Sequence, residues 1–379
     1  MKSLLFAIFS AMLGLGVVVP LLPIYAKYLG ASTLMIGLIY SSFSFARTTF
    51  TPIFGILSDR LGRKIFILIG LSTYTIVSIL YILARSAEDL AFIRFIHGIC
   101  SAMVIPCAMA YAGHMAKRGE EGRTISNFNL SFLTGIGFGP FLGGLIKDLF
   151  GIKFAFLIMA LLTALSFLTV LIYVPNVRDG VSMKFTAIFD KKILSLMIFR
   201  FSTALRISVL VAFLPILFLN FSGIEIGSIV STMVLSNAIS QKIFARKVDI
   251  SDRVKLATFG GLIAIAIFLS IPFIKNFYIA LSLALIMGIF NGIATCSVGA
   301  IAIDLGRIYG HGSVMGFYNT AMGMAMFLSP ILAGYIADRT NLINAFEVIG
   351  MISLACLFIF SLLIRLDDVR ICRDKSKIC

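Results

Sequence analysis

The 379-residue chain is 60% hydrophobic and only 13% charged, where a soluble domain is roughly a quarter charged. So much apolar surface has no place in a water-soluble fold of this size, which excludes a soluble enzyme or binding module and points to a lipid bilayer. The formal net charge of +15 does not point to nucleic acid, because the basic residues stand singly or in short clusters between apolar runs.

A helix needs about 20 apolar residues to cross the hydrocarbon. Twelve such runs fall near 3–27, 33–58, 65–84, 90–114, 125–147, 153–174, 194–218, 225–246, 254–274, 278–304, 314–337 and 342–365. They are unbroken apolar runs rather than alternating ones, so helices are expected and a membrane barrel is excluded. The first run extends to about Tyr25 with no small-residue cleavage signal, which marks a spanning helix rather than a leader. The longest polar stretch, 175–193, falls midway. The chain therefore divides into an N-terminal six-helix bundle (1–174), a linker (175–193), a C-terminal six-helix bundle (194–366) and a tail (367–379). Lysine and arginine set the orientation. Segments on the side of the termini and linker hold 21 of them, and segments on the other side hold 6. Both termini and the linker are thus expected in the cytoplasm, with the protein a multi-pass component of a plasma or inner membrane.

The two halves repeat. A shift of 190 residues carries Gly37 onto Gly227, Asp59 onto Asp249 and Arg63 onto Arg253. It also carries Asn129 onto Asn319, Pro140 onto Pro330, Gly144 onto Gly334 and Asp148 onto Asp338. Glycine and proline dominate the matches, so a shared backbone geometry is the natural cause.

Between the second and third runs stand Gly55, Asp59, Arg60, Gly62, Arg63 and Lys64. This spacing resembles the signature loop of the major facilitator superfamily. Its copy in the second half is degenerate, with Ala245 for the glycine and Val254 for the lysine. Arg94 and Gly98 in the fourth run resemble a further element of that superfamily. Gly135, Gly139, Pro140, Gly143 and Gly144 in the fifth resemble the helix motif of its exporter (antiporter) branch. The resemblance covers essentially the whole chain. It implies an all-α membrane fold of twelve transmembrane helices in two pseudo-symmetric six-helix bundles. It also implies transport by alternating access, a gating role for the signature loop, and a cavity lined by spans 1, 4, 7 and 10. The partners it implies are a small-molecule substrate and a proton, with the transporter working as a monomer.

Ionisable residues inside a bilayer are costly and mark function by default. Arg94, Arg206 and Asn291 are therefore the leading substrate-cavity candidates, with Arg47 and Asn237 behind them. An electropositive cavity would favour anionic or zwitterionic substrates. The competing reading makes each arginine a brace that bonds serines and carbonyls, and for Arg47 and Arg200 that reading is preferred. Proton coupling needs a titrating group, and Asp304 and His97 are the candidates, although neither is a carboxylate at the midplane. The six cysteines form no metal-ligand pattern, and no metal or other cofactor is expected. No GxSxG or GxxxxGK[ST] element supports a membrane enzyme or an ATP-driven pump. The reading is an efflux antiporter for drugs or metabolites. Its nearest rivals are an importer or exchanger of organic anions or sugars, and a transporter-like sensor without flux.

Overall fold

The computed structural model describes residues 1–115, 121–175, 190–309 and 311–375, so most of the linker expected at 175–193 and the end of the tail lie outside the described residues. The described chain is helical throughout. In the first half run α1 (Lys2–Val18), α2 (Leu22–Tyr28), α3 (Thr33–Leu61), α4 (Arg63–Leu83), α5 (Ala87–His114), α6 (Glu121–Phe150) and α7 (Ile152–Tyr173). In the second run α8 (Lys191–Leu217), α9 (Gly223–Ile250), α10 (Arg253–Ser270), α11 (Phe277–Tyr309), α12 (His311–Arg339) and α13 (Leu342–Lys375). α1 and α2 together make the first span, and a 3₁₀ turn at Ile271–Phe273 finishes the span begun by α10. These are the twelve expected spans, with ends displaced by a few residues. The largest displacement is at α13, which carries helix into the expected tail.

Among the described residues eleven of the twelve spans are both long and apolar enough to cross a bilayer, and α3 is the exception. Its 29 residues would reach about 44 Å as a helix. Its middle is rich in hydroxyls, and two of these bond to neighbouring helices. Ser41 Oγ donates to the Phe327 carbonyl at 2.6 Å, and Ser42 Oγ to the Ala91 carbonyl at 3.0 Å. Low hydropathy here marks a helix buried by protein on several sides, which removes the need for apolar side chains.

The break between α1 and α2 has a covalent cause. Pro23 has no N–H to give to the Val19 carbonyl four residues back. The Tyr40 hydroxyl from α3 donates to that carbonyl instead. Pro330 in α12 leaves the Met326 carbonyl open in the same way, and Ser208 Oγ of α8 takes it up at 3.4 Å.

The halves meet along a seam at the end of the bundle opposite loop 58–64. A Cβ on Gly144 of α6 would collide with the Gly223 carbonyl of α9, and one on Gly227 with the Pro140 carbonyl. In the related positions, a Cβ on Gly37 of α3 would collide with the Pro330 carbonyl of α12, and one on Gly334 would meet the Thr33 carbonyl at 2.6 Å. Two of the four seam helices, α9 and α3, are also held at the N-terminus by a carboxylate from the other half. Asp148 accepts from Gly223 N at 2.9 Å and Ile224 N at 2.8 Å. Asp338 accepts from Thr33 N at 2.8 Å and Leu34 N at 2.9 Å. The 190-residue shift relates every member of the first clasp to its counterpart in the second. A carboxylate bonded to the free amides of a helix N-terminus is favoured by both the hydrogen bonds and the helix dipole.

Candidate functional site

Five helices line an open cavity of about 730 Å³. α6 gives Asn129 and Leu133, and α8 gives Arg200 and Ile207. α9 gives a row along one face that includes Met233, Asn237 and Gln241. α11 contributes Met287, Asn291 and Thr295, and α12 contributes Met315 and Tyr318. The lining residues of α6 and α12 lie in the first half of each helix, those of α8 near its middle, and those of α9 and α11 in the middle and second half. All of these portions converge on the end that carries loop 58–64, away from the sealed seam.

Two polar edges and one charge shape the cavity. Gln241 Nε2 donates to Asn237 Oδ1 at 2.6 Å, one helical turn apart on α9, so the two amides are locked together. Thr295 Oγ1 donates to the Asn291 carbonyl at 2.8 Å, which turns the hydroxyl back onto α11. Arg200 is the only formally charged side chain among the described lining residues. Its guanidinium carbon lies 4.9 Å from the centre of the Tyr318 ring, and one terminal nitrogen donates to Met322 Sδ at 2.8 Å. Its Nε is buried with no hydrogen-bond partner.

Of the sequence candidates, the cavity gathers Asn291 and Asn237. Arg94 is 3% exposed, on α5, and lies over the rings of Tyr40 and Phe43 at 5.3 and 4.7 Å. Its neighbour His97 is fully buried. The Tyr81 hydroxyl meets His97 Nδ1 at 3.1 Å, Arg94 stands at 3.4 Å, and the Phe43 and Tyr74 rings close around the imidazole. Arg206 is 1% exposed and gives one terminal nitrogen to the Ser202 carbonyl at 3.2 Å and its hydroxyl at 3.0 Å. Arg47 is half-buried on α3, outside the lining. Spans 7 and 10 line the cavity as the resemblance implies, and spans 1 and 4 add nothing to the described lining. Asp304 pairs with Arg253 at 2.5 Å, at the loop end of α11, and is also outside the lining.

The signature loop is anchored within its own half. Gly62 turns the chain at φ 102°, a conformation that favours glycine. Arg63 donates to the Ala110 carbonyl at 2.7 Å and Lys64 to the Leu171 carbonyl at 3.0 Å. Arg60 is exposed, Gly55 has open space beside it, and the Asp59 side chain lies outside the described residues. In the second copy, Asp252 caps α10, and the Lys255 amide is the first of the groups that hold its carboxyl below the usual carboxylate range.

The exporter-type motif divides between two faces of α6. Gly135, Gly139 and Gly143 recur every four residues and press on α1. A Cβ on Gly135 would meet the Phe9 carbonyl at 2.5 Å, one on Gly139 would collide with Gly16, and one on Gly143 with the Val17 carbonyl. Pro140 and Gly144 occupy the adjacent face and form the seam with α9.

Sequence reasoning missed Arg200, Tyr318 and Asn129 as cavity residues. Asn129 drew notice only as a repeat match. The available signal for Arg200 was its place on span 7, one of the spans implied to line the cavity.

The sequence profile of the Major Facilitator Superfamily matches residues 4–188 and 196–376. An uncharacterized MFS-type transporter of Methanocaldococcus jannaschii is 29% identical over 370 residues, covering 91% of this chain and 95% of that protein. The quinolone resistance protein NorA of Staphylococcus aureus is 28% identical over 145 residues, which span only 38% of this chain and 37% of NorA. Among solved structures, a bacterial homologue of the human lysosomal transporter Spinster, in an inward-facing and occupied conformation, superposes with a TM-score of 0.82. That match has 14% identity and covers 96% of each chain. With the profile spanning both repeated halves, the chain belongs to the Major Facilitator Superfamily.

Proposed function

We propose that this transporter is an efflux antiporter for drugs or metabolites. It works as a monomer by alternating access in a plasma or inner membrane, with both termini cytoplasmic. The observation that supports this reading is one-sided access. The cavity lies toward the loop 58–64 end, while the opposite end is closed by glycine contacts and two carboxylate clasps. Given the lysine and arginine bias, the cavity end is cytoplasmic and the state is inward-facing. Rocking the halves about the cavity would break the seam and form its opposite. The exporter-type glycines and the partial likeness to NorA favour export. Proton exchange is the coupling, with His97 and Asp304 as its candidate carriers.

The test is reconstitution in liposomes that enclose a pH dye, challenged with cationic, neutral and anionic aromatic compounds. Substrate-triggered proton movement, absent from protein-free liposomes, is the expected result. Flux without proton movement would strike out proton antiport and leave the transporter. No flux for any compound would favour the sensor reading.

A further inference from the structure

We propose that the cavity takes amphipathic organic anions and that Arg200 is the residue that selects their charge. This rests on the reading of the cavity as the transport site. A guanidinium stays protonated at any working pH, so Arg200 carries a full positive charge into the cavity wall. Nothing on the wall cancels it. Tyr318, through its ring face and a side-chain hydrogen bond, and the Met322 sulfur are uncharged partners, and no carboxylate stands among the described lining residues.

The other buried arginines differ from Arg200 in this respect. Arg206 bonds Ser202, Arg94 lies on two rings beside His97, and both are outside the lining. All three leave Nε without a hydrogen-bond partner, but among the described lining residues Arg200 is the one arginine that faces a space large enough for a drug-sized molecule. A planar fork of donors of this kind matches a carboxylate, sulfonate or phosphate. The rest of the wall suits the body of such a molecule. Met233, Met287 and Met315 offer deformable apolar surface, which tolerates varied shapes. Asn129, Asn237 and Asn291 offer amides that donate or accept. An organic cation would meet the same fork with like charge and would be disfavoured.

The experiment uses two dyes that share a xanthene skeleton and differ in charge: fluorescein, an anion, and a rhodamine methyl ester, a cation. Binding to the purified full chain is read by fluorescence anisotropy, and flux is read in proteoliposomes. The proposal expects fluorescein to bind at least tenfold more tightly than the rhodamine ester. Arg200→Gln should weaken fluorescein binding tenfold or more, and Arg200→Lys should restore part of it. Asn291→Asp, which adds a carboxylate to the cavity and leaves Arg200 untouched, should also abolish the preference for the anion. That second variant separates charge selection from any folding defect at Arg200. Fluorescein bound no better than the rhodamine ester, or bound equally by Arg200→Gln, overturns the proposal. Rhodamine flux without fluorescein flux overturns it and leaves the transport reading standing. Tight, Arg200-dependent fluorescein binding without flux supports the anion site and counts against transport alone.

Discussion

Arg206 and Arg200 stand on one helix and meet different fates, because one faces protein and the other faces space. Arg206 is a charge without an acid, held by Ser202. Removing such a charge while keeping its volume is often neutral or stabilising. Arg206→Met is therefore expected to leave thermal unfolding in detergent unchanged or raised. Arg206→Ala leaves a void and is expected to lose stability, on the order of 3 kcal/mol. Neither change should alter the affinity of a cavity ligand, and a loss of affinity in the Met variant would return Arg206 to the substrate site. Asp304 makes a second test at this scale. It sits in an exposed ion pair with Arg253, a type worth about 1 kcal/mol at most. With Asp304 a candidate proton carrier, Asp304→Asn is expected to shift the pH profile of transport at little cost in stability, and an unchanged profile would leave His97 as the carrier. Sequence could name the buried arginines, since a charge in an apolar run is conspicuous. It could not rank them. Whether a guanidinium ends on a ring, a serine or an empty volume depends on which neighbouring helix faces it.

At the scale of single helices the sequence was far more legible. Apolar runs show span positions because hydrocarbon demands them, and proline explains the α1–α2 break through a missing N–H. α3 was also visible by length, although its polar middle conceals how deeply other helices cover it. The glycines of α6 were legible as a motif, but not as two faces with two partners. That division yields a prediction. Gly143→Ala places a methyl group against the Val17 carbonyl of α1 and is expected to cut the yield of folded, monodisperse protein severalfold. Gly113→Ala, whose Cβ would have nothing within 4 Å, is expected to leave it unchanged. Size-exclusion profiles of the two variants decide the matter, and equal yields would mean that α1 and α6 separate freely.

For the whole molecule, the 190-residue repeat predicts more than similar halves. Each clasp joins an acid on one half to a helix start on the other, so the two clasps cross the seam in opposite senses. A charge at a helix N-terminus is worth about 1 kcal/mol, or roughly fivefold in population. Asp148→Asn and Asp338→Asn should each shift the equilibrium by about that factor toward the state open at the clasp end, and the double variant further. Cys296 lines the cavity and reports on this directly. In a chain with the other five cysteines changed to serine, its alkylation from the loop 58–64 side should slow in both variants. Unchanged alkylation would show that the glycine contacts alone hold the seam.

Those glycine contacts also bear on how often the gate can turn over. The seam closes backbone against backbone at Gly144, Gly227, Gly37 and Gly334. Glycine has no rotamers to freeze, whereas a long interfacial side chain costs about 0.5–1.5 kcal/mol to immobilise each time it docks. At these four contacts closure therefore carries almost no side-chain entropy penalty, and the two clasp aspartates are left as side chains that must be ordered anew on each cycle.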